Sequence, residues 1–231
     1  MRATSRVTTK AAAPTLDIRP LTPARANDVK TITASTWGSQ CWDLWWRYTD
    51  DQKRELAITG GSKERNAARR REILRKLARR RHAPVLVAYA GDDPVGFVSL
   101  GPRDDYDALR ASKTTQPVDD VPVWVIPCIT VRKAHRGRGV ALALLRAAIQ
   151  YASAQGAPGI DAYPRPDERR FSDGAVFMGT ESLFRRAGFR KIRGLLPGLK
   201  RPWAPRVTMR ASCAPSKRTS LRSRTRSRAA S

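Results

Sequence analysis

Val131-Arg132-Lys133-Ala134-His135-Arg136-Gly137-Arg138-Gly139-Val140-Ala141 is the stretch whose reading decides the fold. An apolar run, 121–131, leads into it, and an alanine- and leucine-rich run, 140–154, leads out. That order predicts a strand, a glycine-rich turn and a helix. Glycine lets a backbone turn tightly and approach a ligand closely. The first turn of a helix carries unpaired N–H groups and a partial positive charge. Together they predict a cradle for a phosphate or pyrophosphate.

Working outward, the helix after the turn places Ala141, Leu144, Leu145, Ala148 and Ala152 at steps of three and four, which predicts one buried face. Gly156 is its expected stop. A strand over 159–163 would complete a parallel crossover. An irregular charged loop, 164–179, follows. Thr180 is then expected to cap a short helix, 181–187, ended by Gly188, with final strands at 189–192 and 207–210. Upstream, Pro127 interrupts the long strand 121–131 and lacks a ladder N–H, which predicts a bulge. Two apolar runs, 85–90 and 95–100, flank Gly91-Asp92-Asp93-Pro94 and predict a hairpin. A first strand is expected at 15–19. Thr22-Pro23 should then open a helix to about Trp37. Another helix is expected to begin within 42–55, and Ser62 to cap a basic helix reaching about Arg80.

The 231 residues suit one domain, 14–211, between an N-terminus, 1–13, and a basic Ser/Arg tail, 212–231, both expected to be disordered. The net charge is +25 and the pI about 11.4, an excess that suits polyanionic partners. Much of it lies in the first ten residues, in the tail and in 63–81. That last run has ten lysines and arginines against Glu64 and Glu72. It reads as a solvated helix face, or as a dock for RNA, an acidic protein or cofactor phosphates. Cys41, Cys128 and Cys213 are few, odd in number and without metal spacing. A disulfide framework and a bound metal are therefore not expected. A reducing, cytoplasmic location is. No apolar stretch reaches the ~18 residues of a membrane span.

What would the cradle hold? A nucleotide P-loop needs Gly-Lys-Ser/Thr at the helix start, but Gly139 is followed by Val140 and Ala141. A dinucleotide fingerprint needs a third glycine, where Leu142 stands, and a turn directly after the strand. Residues 132–136 intervene instead. The whole stretch from Val131 to Ala141 resembles the acetyl-CoA signature of the GCN5-related N-acetyltransferases: a strand-ending Val, a short loop, then Arg/Gln-x-x-Gly-x-Gly/Ala opening a long helix. Ala187-Gly188-Phe189 resembles that family's second marker. Three segments, Val98-Ser99-Leu100-Gly101-Pro102-Arg103, Pro117-Val118-Asp119-Asp120 and Gly179-Thr180-Glu181-Ser182, resemble a bacterial subgroup of unassigned substrate.

The resemblance implies an α+β fold, a mixed V-splayed central sheet flanked by helices. It implies a transferase that moves acetyl from acetyl-CoA to a primary amine of a small molecule or peptide, by direct attack in a ternary complex. The other reading is a basic nucleic-acid-associated protein on this fold, with weak or no catalysis. By resemblance, backbone groups of Ile129, Thr130 and Val131 would align the cofactor's arm. The backbone of Gly137, Arg138, Gly139, Val140 and Ala141 would hold its pyrophosphate, with added charge from Arg136 and Arg138. Where the family often carries an acidic tyrosine, this chain has Phe184, so Ser182 becomes a substitute. Asp119, Asp120, Asp161 and Glu181 are candidate bases, as is a water chain. Glu181 also suits a helix N-terminus for its charge alone. His135 reads as solvent-facing. Trp37, Trp42, Trp45 and Trp46 would either wall an acceptor site or pack a core.

Overall fold

The strands predicted on either side of the glycine turn lie at the centre of one seven-stranded sheet. The computed structural model describes residues 15–34, 41–167, 178–199 and 204–213. The expected disorder of 1–13, Trp37, most of the loop 164–179 and the tail from 214 onward lie outside the described residues. The strands are β1 (Leu16–Pro20), β2 (Val85–Ala90), β3 (Asp93–Pro102), β4 (Trp124–Val131), β5 (Gly159–Ala162), β6 (Arg190–Arg193) and β7 (Thr208–Ser212). Their spatial order is β1-β2-β3-β4-β5-β7-β6. Only β4 and β5 run parallel; the other neighbours are antiparallel.

The central strands are apolar on both faces because helices cover both. On one face, Leu86, Ala88, Val98, Leu100 and Ile126 pack with α5 (Val140–Ala154). On the other, Val85, Val87, Tyr89 and Phe97 meet Val29 and Ile32 of α1 (Ala26–Thr33) and Ile73, Leu74 and Leu77 of α3 (Lys63–Leu77). The buried row of α5 is Val140, Leu144, Ala148 and Ala152, with Leu145 beside it. Ala141, expected in that row, is only partly buried, because the i, i+4 stripe is anchored one residue earlier on Val140.

Two features open the sheet. Strands β4 and β5 share three rungs, Trp124↔Ile160, Val125↔Asp161 and Ile126↔Ala162, after which β5 ends and β4 continues to Val131 without it. This is the expected V. The register between β3 and β4 also jumps from Ser99↔Cys128 to Gly101↔Val125, leaving one surplus residue on β4 around Ile126 and Pro127. A missing proline N–H fits such a bulge.

Departures from expectation lie mostly in the N-terminal half. Thr22 makes no side-chain cap, and a short 3₁₀ turn, Pro23–Arg25, precedes α1, which ends at Thr33. Of the stretch 42–55 expected to begin a helix, the first part, to Arg47, is turns. Helix α2 (Asp50–Glu55) starts only after Thr49, which forms a reciprocal capping box with Gln52. Ser62 does cap α3, which stops at Leu77. Helix α4 (Asp107–Ala111) follows β3 after a short 3₁₀ turn, Arg103–Asp105, and α6 (Glu181–Ala187) ends at Gly188 with φ +103°. Strand β7 runs through Ser212, and Cys213 beyond it is buried.

Candidate functional site

Val131 ends β4 on the splayed side. A single 3₁₀ turn, Lys133–His135, then absorbs the residues between strand and glycines. It is closed by His135 N–H donating to Arg132 O at 2.9 Å. Gly137 and Gly139 both adopt left-handed φ, +73° and +82°, and Gly139 is the N-cap of α5. A Cβ added at either would meet nothing within 4 Å, so the space above the turn is open. The first helical amide to find a carbonyl behind it is Ala143, donating to Gly139 O at 3.0 Å. The amides of Val140, Ala141 and Leu142 are left by helix geometry to face outward. An exposed, amide-lined concavity at the positive end of a helix fits a diphosphate.

Cations surround it. Arg136 and Arg138 are exposed, and Arg136 Nε donates to Val131 O at 3.2 Å, tying the turn to the strand end. Arg132 pairs with Asp93, and His135 Nε2 lies 3.5 Å from the same carboxylate, so His135 packs against the β2–β3 turn rather than facing solvent alone. Ile129, Thr130 and Val131 lie on the part of β4 that has β3 on one side and no strand on the other.

The acid–base candidates are placed less favourably. Glu181 is buried and held by Arg185 Nη2 and Lys191 Nζ, each at 2.8 Å. Asp161 is fully buried between Arg103 (2.8 Å) and Arg210 (2.6 Å). Asp119 accepts both Nη1 and Nη2 of Arg210, at 2.7 and 3.0 Å, which keeps its carboxyl below the usual range. Asp120 and Ser182 are exposed, on different elements, and no hydrogen bond joins them. The Ser182 hydroxyl lies 3.2 Å from that of Thr180, while its amide is capped by Asp167 at 3.0 Å. Phe184 is fully buried and packs edge-to-face on Phe189 at 5.0 Å.

Sequence reasoning missed a buried polar network on the sheet face opposite α5. Trp42 and Asp43 hold left-handed φ of 47° and 65°, which is strained for residues with a Cβ. The bend drives Trp42 into the core and Asp43 toward Ser99 and Arg47, 3.5 Å away. Arg47 Nη2 donates to Tyr106 Oη at 2.6 Å, which lies 3.2 Å from Ser99 Oγ. Ser99 is the register partner of Cys128 beside the bulge. Burial outweighs the contact with Arg47 and raises the Asp43 carboxyl to about 6. No motif marks Asp43, because long-range contacts assemble the network. The tryptophans divide. Trp42 is core, Trp46 packs against the cluster of Tyr106, Leu109, Val125, Tyr163 and Met178, and exposed Trp45 has Lys53 Nζ 4.0 Å from its ring centroid.

The three cysteines are free thiols. Among the described residues, no His/Cys/Asp/Glu group could hold a metal, and no helix is long and apolar enough to cross a membrane.

Residues 40–171, more than half of the chain, match the Acetyltransferase (GNAT) family. No curated protein shows significant similarity to the sequence. Among solved structures, a candidate GNAT-family acetyltransferase from Desulfovibrio desulfuricans aligns with a TM-score of 0.50 at 15% identity, covering 87% of this chain and 100% of its own. A structure described as histone acetyltransferase HPA2 and related acetyltransferase, from Corynebacterium glutamicum, aligns with a TM-score of 0.50 at 19% identity, covering 86% and 96%. At such identities the likeness speaks for the fold.

Proposed function

Because the chain belongs to the GNAT acetyltransferase family, we propose that it transfers acetyl from acetyl-CoA to a primary amine by direct attack within a ternary complex. The observation that carries this reading is the open glycine turn at the N-terminus of α5, at the far end of the stretch of β4 that β5 leaves unpaired. Acetyl-CoA supplies an activated acyl group on a thiolate leaving group. The chain's own contribution is chiefly positioning and stabilisation of developing charge. Amides of Gly137 to Ala141 hold the diphosphate, with Arg136 and Arg138 adding positive charge. Backbone groups of Ile129, Thr130 and Val131 align the arm along the free edge of β4, and an amide near Val131 faces the developing oxyanion.

Proton handling falls to groups at the solvent boundary. Asp119, Asp161 and Glu181 are held in ion pairs. Asp120 is then the base, directly or through water, and Ser182 is the hydroxyl that returns a proton to the thiolate. A dedicated strong acid is not required for a thiolate. Asp120→Asn should lower kcat by about 10²-fold if the side chain is the base. Unchanged kcat would assign that step to water. The cofactor half of the reading is tested by thermal shift with acetyl-CoA, CoA and NAD. Stabilisation by both CoA ligands and not by NAD is expected.

Helix α3 favours an additional contact with nucleic acid. Arg71 and Arg75 of the helix and Arg79 in the turn just beyond it follow at four-residue steps and form no ion pair among the described residues, whereas Glu72 is neutralised by Arg69 and Lys76. Such a row suits weak, salt-sensitive contact with a phosphate backbone.

A further inference from the structure

Strand β6 forms one edge of the sheet, with β7 as its single neighbour. Arg190, Lys191 and Ile192 are exposed, and among the described residues no main chain pairs with the outer side of the strand. The ladder to β7 joins Arg190 to Arg210 and Lys191 to Met209, then skips Ile192 before Arg193. The Ile192 side chain belongs to none of the three apolar clusters of the fold, and neither does exposed Leu195 just beyond the strand. The charge here has one sign. Arg185, Arg186, Arg190, Lys191 and Arg193 fall within 185–193, a stretch without a carboxylate. Glu181 serves both Arg185 and Lys191, and Arg193 donates to Thr114 O at 3.5 Å. Arg186 and Arg190 form no ion pair among the described residues.

An open strand edge is a template for one more strand. A second copy of β6 set antiparallel would place Arg190 of each chain opposite Arg193 of the other, and like charges directly opposite are destabilising. An acidic strand reverses that sign. Arg190 and Lys191 point to opposite faces of the sheet, so an added strand meets a cation on each. A nucleic-acid backbone would use the same cations but leave Ile192 and Leu195 in water, whereas aliphatic side chains of a peptide cover them. We infer that β6 is a docking edge for an extended acidic segment of another protein, one that also carries aliphatic side chains. Its main chain pairs beside Arg190 and Lys191, its carboxylates meet Arg186, Arg190 and Lys191, and its aliphatic groups lie on Ile192 and Leu195. The inference does not depend on the acetyltransferase reading, since β5 and β7 separate this edge from β4.

The full chain is titrated with a fluorescein-labelled short peptide of mixed glutamate and valine, with its lysine-for-glutamate and serine-for-valine counterparts, and with oligothymidylate. Anisotropy should show saturable binding of the first and none of the lysine peptide. The serine peptide should bind about threefold or more weaker. Arg190→Glu should weaken the glutamate–valine peptide by about fivefold or more, and Ile192→Ser by about twofold or more. Both side chains are exposed, so both variants should melt with the wild type. Amide hydrogen exchange over 190–193 should slow when the peptide is bound, a change that contact through side chains alone would not produce. The proposal is overturned if the glutamate–valine peptide does not bind at low salt, if Arg190→Glu binds it as well as the wild type does, or if exchange along β6 is unchanged. Equal affinity for the serine peptide, or tighter binding of oligothymidylate that Arg190→Glu abolishes, would overturn it in favour of a nucleic acid. A dimer of the peptide-free chain that Ile192→Ser dissociates in sedimentation would overturn it in favour of a second copy.

Discussion

Gly139 holds φ +82° at the N-cap of α5, where a side chain would be strained although nothing nearby would collide with it. Gly139→Val should therefore cost about 1–2 kcal/mol through the backbone. It should also place a branched side chain over the amides proposed to hold the diphosphate. The expected outcome is a melting temperature lower by several degrees and loss of the acetyl-CoA thermal shift; a full shift in the variant would displace the cradle from this turn. Asp43 offers a different test. Its folded carboxyl titrates near 6 rather than near 3.8, so the folded state binds the proton more tightly than the unfolded chain. The resulting stability is fully present below about pH 4 and is lost as pH rises through about 6, a change of at most about 3 kcal/mol. Asp43→Asn should remove that component. Urea midpoints at pH 4, 5, 6 and 7 in both proteins check it, and parallel curves would show that Asp43 ionises normally. The two residues also differ in legibility. Gly139 belongs to a local pattern that sequence displays, whereas Asp43 owes its environment to Ser99, far along the chain, and to a strained bend that no propensity encodes.

At the scale of elements, β3 passes unusually close to β4 at Gly96. A Cβ there would lie 2.9 Å from Thr130 O and 3.3 Å from both Leu144 Cδ1 and Val131 Cγ2. The nearest obstacle is backbone, so Gly96→Ala must push β4 aside by a few tenths of an ångström. A destabilisation of about 1–3 kcal/mol is expected. Weaker acetyl-CoA binding should accompany it, because the displaced residues are those proposed to align the arm. Calorimetric titration beside a denaturant curve checks both; lost stability with unchanged affinity would free Thr130 and Val131 from that role. The elements around this contact were readable because their signals are local. The apolar hairpin runs, the alanine–leucine periodicity of α5 and the proline inside β4 each determine their own geometry. Within 42–55 the expected helix forms only from Asp50, and the part that carries the tryptophans and Leu44 is turns. In the fold Trp42 and Leu44 join one core cluster and Trp46 another, a division that turns permit and a single helix face does not.

For the whole molecule, the proposed cofactor cradle is written in contiguous sequence, whereas the buried polar network on the other face of the sheet joins residues as distant as Asp43, Ser99 and Tyr106. This is why the family is legible in the sequence and the acceptor is not. The net charge of +25 is a property of the entire chain, and its consequence can be measured without knowing the acceptor. Binding to a single-stranded oligonucleotide should weaken steeply with salt, each neutralised phosphate contributing about 0.7 to the slope of log K against log salt. If Arg71, Arg75 and Arg79 each meet one phosphate, replacing all three by Glu should lower the magnitude of that slope by at least about 2. The acetyl-CoA thermal shift should survive, because α3 packs on the sheet face opposite α5. Fluorescence anisotropy across a salt series separates the outcomes. A slope unchanged by the triple substitution would move the contact to the basic termini, and no binding at low salt would leave the charge a matter of solvation and of attraction for the cofactor's phosphates.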